Sequence, residues 1–441
     1  MDPVILAIIA TSVVIPVAFI FGVRHLAFRL AGDRSSGGTV SAGPLVIPTV
    51  QVGVASGWGL LRTALMLVVL GTGTAIILLR FVYGIGSVTN LSDQFPLGLW
   101  IGFDVMGGVA LAAGAFVIAA LAHIFHVKRF EPLARPAILT GLLGYLMAVA
   151  SLIVDLGRPY NVWRPLVHWQ HRSALWEVGV CVACYTTVLI LEFLPVVLER
   201  VNEFEAVTRR LPTVPIYRFL TRFSLVFVVL GVVLSTMHQS SLGSLWVLVP
   251  EKLHPLWYSV RLPVLFWLSA VAAGFAMTIV ESTLSSRAFG RGFELELLTD
   301  LGRYASVVLW VYLAARFADL AVRGALPLLF EGSLQSTSFW IETFLGTLLP
   351  ALLLSFNSLR KKAAVLVGSA VLVVLFGIVL NRLNVSMIGL YPFTGLIYVP
   401  SWMELLVTFT IISLGVLAFG TAGRYLPVFP EHPSVATATD R

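Results

Sequence analysis

Several ionisable side chains of this sequence lie inside long apolar segments. Asp104, Glu177 and Glu281 each follow a run of apolar residues. A charged side chain within a membrane-spanning segment is costly, and by default it marks a functional site. Burial favours the protonated form of a carboxyl group, so such groups could load and unload protons. This chemistry suits proton-coupled redox reactions and proton-coupled transport equally well.

A quinone headgroup is one ligand that such groups could serve. Quinone reduction takes two electrons and two protons, and its site needs hydrogen-bond donors and proton carriers in an apolar cleft. His238, Asp104 and Tyr145 could supply them, because Asp104 and His238 fall toward one predicted face of the membrane and Tyr145 near the middle of its segment. Glu281 falls toward the opposite face. These residues predict a quinone pocket toward one membrane face, with His238 closing its span there.

Metal and haem motifs are weaker in this sequence. Cys181 and Cys184 have a CxxC spacing, but they lie within an apolar segment without a second pair. We therefore expect packing cysteines and no metal in this chain. A haem b would need two axial histidines at matching depth, and the candidates are His25, His123 and His126. A haem-b cytochrome anchor therefore stays open as an alternative.

The composition indicates the class of protein that holds these groups. Of 441 residues, 58% are hydrophobic and 12% are charged, whereas soluble domains have about 25% charged residues. This excludes a water-soluble enzyme, a disordered chain and a nucleic-acid-binding domain. The long continuous apolar runs indicate helices rather than the short alternating strands of a membrane barrel. We predict an all-α, polytopic integral membrane bundle.

About eleven transmembrane helices are predicted if each apolar run of about 20 residues is one span. The predicted spans are 4–23, 59–82, 97–125, 136–155, 174–198, 219–237, 260–284, 303–322, 339–357, 363–381 and 402–421. A linker rich in Gly, Ser and Pro follows the first span. With the N-terminus outside and the C-terminus inside, most of the 29 Lys and Arg residues fall inside, as the positive-inside rule favours.

Further polar and aromatic residues lie near the predicted outer face. Arg316 and Asp319 have the i, i+3 spacing of a helical ion pair, whereas Glu342 and Glu404 open their spans and are expected to be solvated. Aromatic residues crowd the predicted outer loops 156–173, 238–258 and 382–402. They fit the aromatic belt of a membrane interface or a docking face for an external partner subunit.

Short motifs occur in a fixed order along residues 58–425. They are Phe95–Asp104 (FPLGLWIGFD), Pro132–Pro136 (PLARP), Asp155–Arg158 (DLGR), Leu175–Glu177 (LWE), Glu192–Arg200 (EFLPVVLER), Thr236–Leu245 (TMHQSSLGSL), His254–Trp257 (HPLW), Glu281–Leu284 (ESTL), Arg316–Leu320 (RFADL), Trp340–Glu342 (WIE) and Tyr398–Leu406 (YVPSWMELL). The pair TMHQSSLGSL and HPLW is the most specific. With these motifs the chain resembles the NrfD/polysulfide-reductase membrane-subunit family, and within it the membrane subunits of hydrogenase 2-type nickel–iron hydrogenases.

The resemblance implies a subunit of a respiratory oxidoreductase complex that binds menaquinone or ubiquinone and carries no haem. Its implied partners are a periplasmic four-cluster ferredoxin-like iron–sulfur subunit and a catalytic subunit, such as a nickel–iron hydrogenase or another reductase. The implied location is the cytoplasmic membrane of a bacterium or archaeon, among membrane lipids and without nucleic acid. We expect no complete catalytic site in this chain alone.

The resemblance also implies roles for individual residues. His238, Asp104 and Tyr145 would form the quinone pocket. Glu177, Glu281 and Arg135 would form a proton path from that pocket to the inner side. Because the family core has ten helices, residues 1–57 would be an additional helix and linker, 58–425 the NrfD-like core and 426–441 a polar tail. The alternatives are the haem-b anchor and a proton-coupled permease, which would work alone around a site at the membrane midplane.

Overall fold

The structure, a computed structural model, describes residues 57–429. The predicted first span at 4–23, its linker and the end of the polar tail lie outside these residues. All regular elements in the described part are helical, and ten of its helices are long and apolar enough to cross a membrane. The prediction of an all-α, polytopic membrane bundle is therefore confirmed.

The ten long helices are numbered here in chain order. They are α1 Gly57–Tyr83, α2 Trp100–Ile124, α3 Lys128–Asp155, α4 Ala174–Val201, α5 Ser224–Val247, α6 Leu262–Ala288, α7 Leu295–Val322, α8 Leu334–Ser355, α9 Ala363–Thr394 and α10 Trp402–Tyr425. Short helical segments between them are Ile85–Ser87, Pro159–Asn161, Arg164–Val167, Glu205–Thr208, Thr213–Arg222, Leu326–Phe330 and Asn357–Arg360.

Helix α5 is displaced from its predicted span, 219–237, because it begins at Ser224 and continues to Val247. The polar run after Thr236 lowers the hydropathy of this half, which explains the early predicted end. In the structure the hydroxyl of Ser240 donates to the backbone carbonyl of Thr236, one turn back, at 2.9 Å. The hydroxyl of Ser244 donates in the same way to the backbone carbonyl of Ser240 at 3.2 Å. These bonds satisfy the hydroxyls of Ser240 and Ser244 within the helix itself.

Helices α2, α8 and α9 contain wider π turns. The π segments are Trp100–Gly107 and Ala120–Ile124 in α2, Phe344–Leu348 in α8 and Val373–Leu380 in α9. In α8 and α9 they meet at Gly346 and Gly377, where a Cβ on either residue would overlap the backbone of the other. Small residues permit this close approach of membrane helices. Such π turns are frequent at functional sites, and Asp104 lies in the first of them.

The helices pack as two groups of four. Helices α2 to α5 pack on one another, α6 to α9 do the same, and α6 contacts both α2 and α5. Helices α1 and α10 pair with each other, and α10 packs against α3. The interior of the first group is a continuous buried core that includes Tyr145, Tyr185 and Phe193, so any polar group there is far from bulk water.

The bundle has two chemically different ends. At one, which we call the aromatic end, α2 begins at Trp100, α4 at Ala174 and α10 at Trp402, and α5 ends at Val247. We call the opposite end the basic end. Its helix termini and connections carry Lys128, Arg129, Arg135, Arg200, Arg209, Arg210, Arg218, Arg222, Arg287, Arg291, Arg303, Arg360, Lys361, Lys362 and Arg424.

Candidate functional site

Three helices bring a histidine and two tyrosines together in the core. The hydroxyl of Tyr145 on α3 lies 2.8 Å from Nδ1 of His238 on α5, and both residues are fully buried. The ring of Tyr185 on α4 meets that of Tyr145 edge to face, with centroids 4.6 Å apart. Within residues 64–429, Nε2 of His238 and the Tyr185 hydroxyl are buried without a hydrogen-bond partner. The cluster therefore has two hydrogen-bonding groups that a ligand or a water molecule could bind.

His238 lies deeper than its sequence position suggested. It is about 14 Å from the Val247 end of α5, at about 1.5 Å per residue, and about 21 Å from the Ser224 end. The prediction that His238 closes its span is therefore wrong, because the span continues for more than two turns beyond it. His238 is nearer to the aromatic end than to the basic end.

Glu177 is connected to this cluster through Ser241, which follows His238 by one turn. Oγ of Ser241 lies 2.5 Å from Oε1 of Glu177 and 2.8 Å from the carbonyl oxygen of Met237. A hydroxyl has one proton to donate. It can donate to an ionised Glu177, or it can donate to Met237 and accept from a protonated Glu177. The geometry therefore accommodates both charge states of the carboxyl group.

Asp104 occupies a neighbouring polar position rather than contacting the pair. It is buried in the first π turn of α2, and the hydroxyl of Thr408 on α10 donates to its Oδ2 at 2.7 Å. Among the described residues, no hydrogen bond joins Asp104 to Tyr145 or His238. The structure thus brings two of the three predicted pocket residues into contact and places the third on the α2–α10 side.

Glu281 and Arg135 lie toward the basic end. Glu281 is buried, its Oε1 has no partner in the described part, and it lines a small cavity with Arg291 and Phe429. Arg135 donates two hydrogen bonds of 2.8 Å to Glu199 and one of 3.0 Å to the carbonyl of Pro427. Burial lowers the pKa of Arg291. The segment after α10 thus reaches both predicted residues.

A second buried polar cluster lies among α7, α8 and α9. Arg316 pairs with Glu342, and Asn381 and Asn384 each donate to Glu342 at 2.7 Å. The indole of Trp257 donates to the same carboxylate at 2.9 Å. Glu342 is 1% exposed, so the prediction that it is solvated is wrong. The sequence signal for this cluster is the pair Asn381 and Asn384, spaced i, i+3. It is easily missed because it directly follows the apolar run 363–380.

Asp319 does not pair with Arg316, its predicted partner. It pairs with Arg261 at 3.0 Å and with Arg323 at 2.8 Å. The predicted Arg316–Asp319 pair is wrong, because the Arg316 side chain crosses to the carboxylate of α8. Asp319 is instead satisfied at the edge of the aromatic end.

Glu404 is buried at the start of α10, so its predicted solvation is also wrong. It forms a capping box with Ser401 and accepts hydrogen bonds from the hydroxyl of Tyr398 and the backbone N–H of Asn90. Burial and the Glu404 carboxylate raise the pKa of Tyr398, which keeps its hydroxyl a donor. The Ser401–Glu404 spacing is a capping-box signal that the sequence already carried.

The histidines considered for haem lie elsewhere. His123 and His126 line a cleft at the basic end together with Lys128 and Glu131, and His25 is outside the described residues. His254, near the aromatic end, has its pKa lowered by burial, so its ring is neutral near pH 7. Both cysteines are free thiols. Cys181 is buried, whereas Cys184 is exposed, so the prediction that both cysteines pack in the interior is wrong for Cys184.

Only part of the predicted aromatic surface is exposed. Tyr160, Trp163 and Trp169 in the loop between α3 and α4 are 70%, 51% and 67% exposed, whereas Trp246 and Trp257 are buried in the core. The second predicted loop therefore supplies packing, and the first supplies an accessible surface.

A family profile and several known proteins are similar to this chain over most of its length. The profile described as "Polysulphide reductase, NrfD" matches residues 87–391. A protein of Nitratidesulfovibrio vulgaris is 38% identical over 84% of this chain and 95% of its own length. The probable Ni/Fe-hydrogenase 2 b-type cytochrome subunit of Escherichia coli is 35% identical over 80% of this chain and 89% of its own. The integral membrane subunit of menaquinone reductase of N. vulgaris is 32% identical over 79% and 86%.

Proposed function

Because the chain belongs to the polysulphide reductase NrfD family, we propose that it is the quinone-reactive membrane subunit of a respiratory oxidoreductase complex. It would pass electrons between an external iron–sulfur subunit and menaquinone or ubiquinone in the membrane. Relatives named as subunits of menaquinone reductase and hydrogenase support this proposal. The observation that carries it is the buried Tyr145–His238 pair with the free Nε2 of His238.

The residues present fit a quinone. With Tyr145 donating to Nδ1, the proton of the neutral imidazole lies on Nε2, which is then a donor without a partner. The indole nitrogen of Trp246, two turns farther along α5, is also a buried donor without a partner in the described part. Buried polar groups are nearly always satisfied, so such donors are suited to the carbonyl oxygens of a quinone. A bound quinone would supply two-electron, two-proton redox chemistry.

The chain's own groups would orient the ligand and handle protons. Tyr145 fixes the imidazole ring through Nδ1, and His238 binds through Nε2. Glu177 exchanges protons with this region through Ser241, because their contact accommodates either charge state. Asp104, bonded to Thr408, would serve the pocket from the α2 side. Tyr145, His238, Asp104 and Ser241 are buried, whereas Glu177 is half-buried in the first turn of α4. Proton delivery to the buried groups would therefore depend on Glu177.

A proton path to the basic end belongs to the same proposal. It would run from Glu177 to Glu281 and Arg135. The concentration of Lys and Arg at the basic end supports an orientation with that end in the cytoplasm and the N-terminus outside. The partner subunits would then meet the aromatic end, where Tyr160, Trp163 and Trp169 are exposed. They would be a periplasmic four-cluster ferredoxin-like subunit and, beyond it, a hydrogenase or another reductase.

The test uses the complex purified from native membranes through an affinity tag on this chain. We expect about one extractable quinone per chain and a broad iron–sulfur bleach in the dithionite-reduced minus oxidised spectrum. His238→Ala should lose the quinone while the iron–sulfur bleach stays. Quinone retained at the wild-type level in this variant, or no co-purified iron–sulfur protein, would contradict the proposal.

The haem-b alternative has one supporting observation, the words "b-type cytochrome" in the name of the Escherichia coli relative. The same spectrum decides it. Sharp haem bands at one haem per chain, lost in His123→Ala or His126→Ala, would favour the haem anchor. Their absence beside bound quinone would favour the quinone subunit.

A further inference from the structure

Glu192, about two-thirds of the way along α4, has no role in the site described above. Resting on the proposed quinone function, we propose that Glu192 carries protons between the Tyr145–His238 cluster and the basic end, along the contact of α4 with α5. Its carboxyl group lies about 14 Å from the Val201 end of α4. A carboxyl group at this depth is costly and by default functional, and among the described residues it has no hydrogen-bond or ion-pair partner.

Helix α4 places a row of polar residues on one face. Glu177, Cys181, Tyr185 and Glu192 are spaced i, i+4, i+8 and i+15, which a helix of 3.6 residues per turn brings to the same side. The last of these faces α5, because a Cβ at Gly231 would lie 3.3 Å from Oε1 of Glu192. The row therefore points into the protein, toward the predicted site, and not toward lipid.

Helix α5 places a matching row opposite. Gly231, Ser235, His238 and Ser241 follow one another at one-turn intervals. The Cβ position of Gly231 is also 3.6 Å from the ring of Tyr185, so Tyr185 and Glu192 border the same glycine. Tyr185 in turn contacts Tyr145, the hydrogen-bond partner of His238. A continuous series of side chains thus joins His238 to Glu192.

The hydroxyl groups within this series are available to relay protons. The Tyr185 hydroxyl and the Ser235 hydroxyl are buried and have no partner in the described part of the chain. Pro195 lies inside α4, and a helical proline leaves the carbonyl four residues earlier without its donor. That carbonyl belongs to Leu191, next to Glu192. Unsatisfied buried groups of this kind are the sites where structural water binds.

The route has an exit at the basic end. Glu199 lies two turns beyond Glu192 on α4, about 10 Å along the helix axis, and holds Arg135 in a two-fold hydrogen bond. Both side chains are partly exposed, at 27% and 42%, and Arg135 already belongs to the proposed path. Glu192, which is half-buried, is thus an alternative to the buried Glu281 as the carboxyl group that leads to Arg135. Glu281, on α6, reaches a different cavity.

The proton balance is simple. Reduction of one quinone takes two electrons, which the iron–sulfur partner supplies, and two protons, which form the two O–H bonds of the quinol. A protonated Glu192 gives its proton toward Tyr185 and is reprotonated from the basic end. In quinol oxidation the same two protons leave along the reverse direction.

The experiment compares single variants of the complete complex in sealed proteoliposomes. Two quantities are measured: the ratio of protons taken from the basic side per electron, and the carboxyl carbonyl band in infrared spectra of reduced minus oxidised protein. In Glu192→Gln we expect this proton uptake to fall at least about twofold and the band to be lost, with rescue by Glu192→Asp. Glu203→Gln, an exposed carboxyl group paired with Arg200, is the matched control and should match the wild type.

Tyr185→Phe is the second variant, because it removes a hydroxyl without a partner and keeps the ring in place. It should lower proton uptake in the same way while the complex stays assembled. An unchanged proton-to-electron ratio and an unchanged carbonyl band in Glu192→Gln would overturn the proposal. Loss of proton uptake in Glu281→Gln but not in Glu192→Gln would also overturn it. If the wild-type complex shows no quinone-linked electron transfer, the proposed function itself fails, which is a distinct result.

Discussion

The hydroxyl of Tyr145 and Nδ1 of His238 lie 2.8 Å apart in the core, although 93 positions separate the two residues in the chain. This contact fixes the orientation of the imidazole and leaves its second nitrogen free. The bond also depends on how α3 and α5 pack against α4, which contacts both of them. The bond therefore links the packing of the first helix group to the proposed chemistry.

Replacement of Tyr145 by Phe tests the role of this contact. The variant keeps the ring and its packing but removes the hydroxyl that orients His238. We expect quinone-linked electron transfer to fall by about tenfold or more, with assembly unchanged. His238→Ala should cost more, and the double variant should be no worse than His238→Ala, because Tyr145 acts through the histidine. Additive losses in the double variant would contradict this.

Replacement of Ser241 by Ala tests the link to Glu177. The variant removes the hydroxyl that contacts the carboxyl group, so the pH profile of quinone-linked turnover should change and the maximal rate should fall several-fold. Ser240→Ala is the matched control, because Ser240 bonds only to carbonyls of its own helix. The same pH profile in Ser241→Ala and the wild type would remove Glu177 from proton exchange.

Replacement of Glu342 by Gln tests the buried cluster of the second helix group. It leaves Arg316 buried without its ion-pair partner, and breaking such a pair costs about 3–5 kcal/mol. We expect a clearly lower thermal unfolding midpoint of the purified protein in detergent. Arg209→Ala, which breaks the exposed pair with Glu205, is the control and should cost about 0.5 kcal/mol or less. Equal midpoints for both variants would argue against a structural role of the cluster.

Replacement of Trp163 and Trp169 by Ala tests the proposed partner surface. Exposed aromatic residues are enriched where proteins bind one another, so the double variant should retain less of the iron–sulfur subunit during purification, by about tenfold in affinity. Phe125→Ala, an equally exposed aromatic residue at the basic end, serves as the control. Full retention of the partner in the double variant would assign these tryptophans to the membrane interface.

The sequence predicts the helices well because the need for about 20 apolar residues per span is a strong physical constraint. It fails where polar residues are satisfied inside the bundle. The run Thr236–Ser244 looks like the end of a span, yet Ser240 and Ser244 donate to carbonyls within α5 and Ser241 contacts Glu177 on α4. The predicted depth of His238 was therefore wrong, although His238 does contact Tyr145.

The partners of charged side chains were harder to predict, because several of them lie on other elements. Arg316 and Asp319 have ideal spacing for a pair, but Arg316 pairs with Glu342 on α8. Asp319 pairs with Arg261 just before α6 and with Arg323 at the end of α7. Single-sequence periodicity describes neighbours along one helix only. The long-range contacts that build the site required the packed structure.

Binding of a quinone analogue to the purified full-length chain is the most direct test of a quinone site at Tyr145 and His238. Quenching of the fluorescence of a hydroxyquinoline N-oxide, titrated into wild type, His238→Ala and the control Ser240→Ala, measures the site without any partner subunit. We predict saturable binding of about one analogue per chain in the wild type and the control, and at least a tenfold weaker affinity in His238→Ala. Equal affinity in all three proteins would contradict a quinone site at Tyr145 and His238.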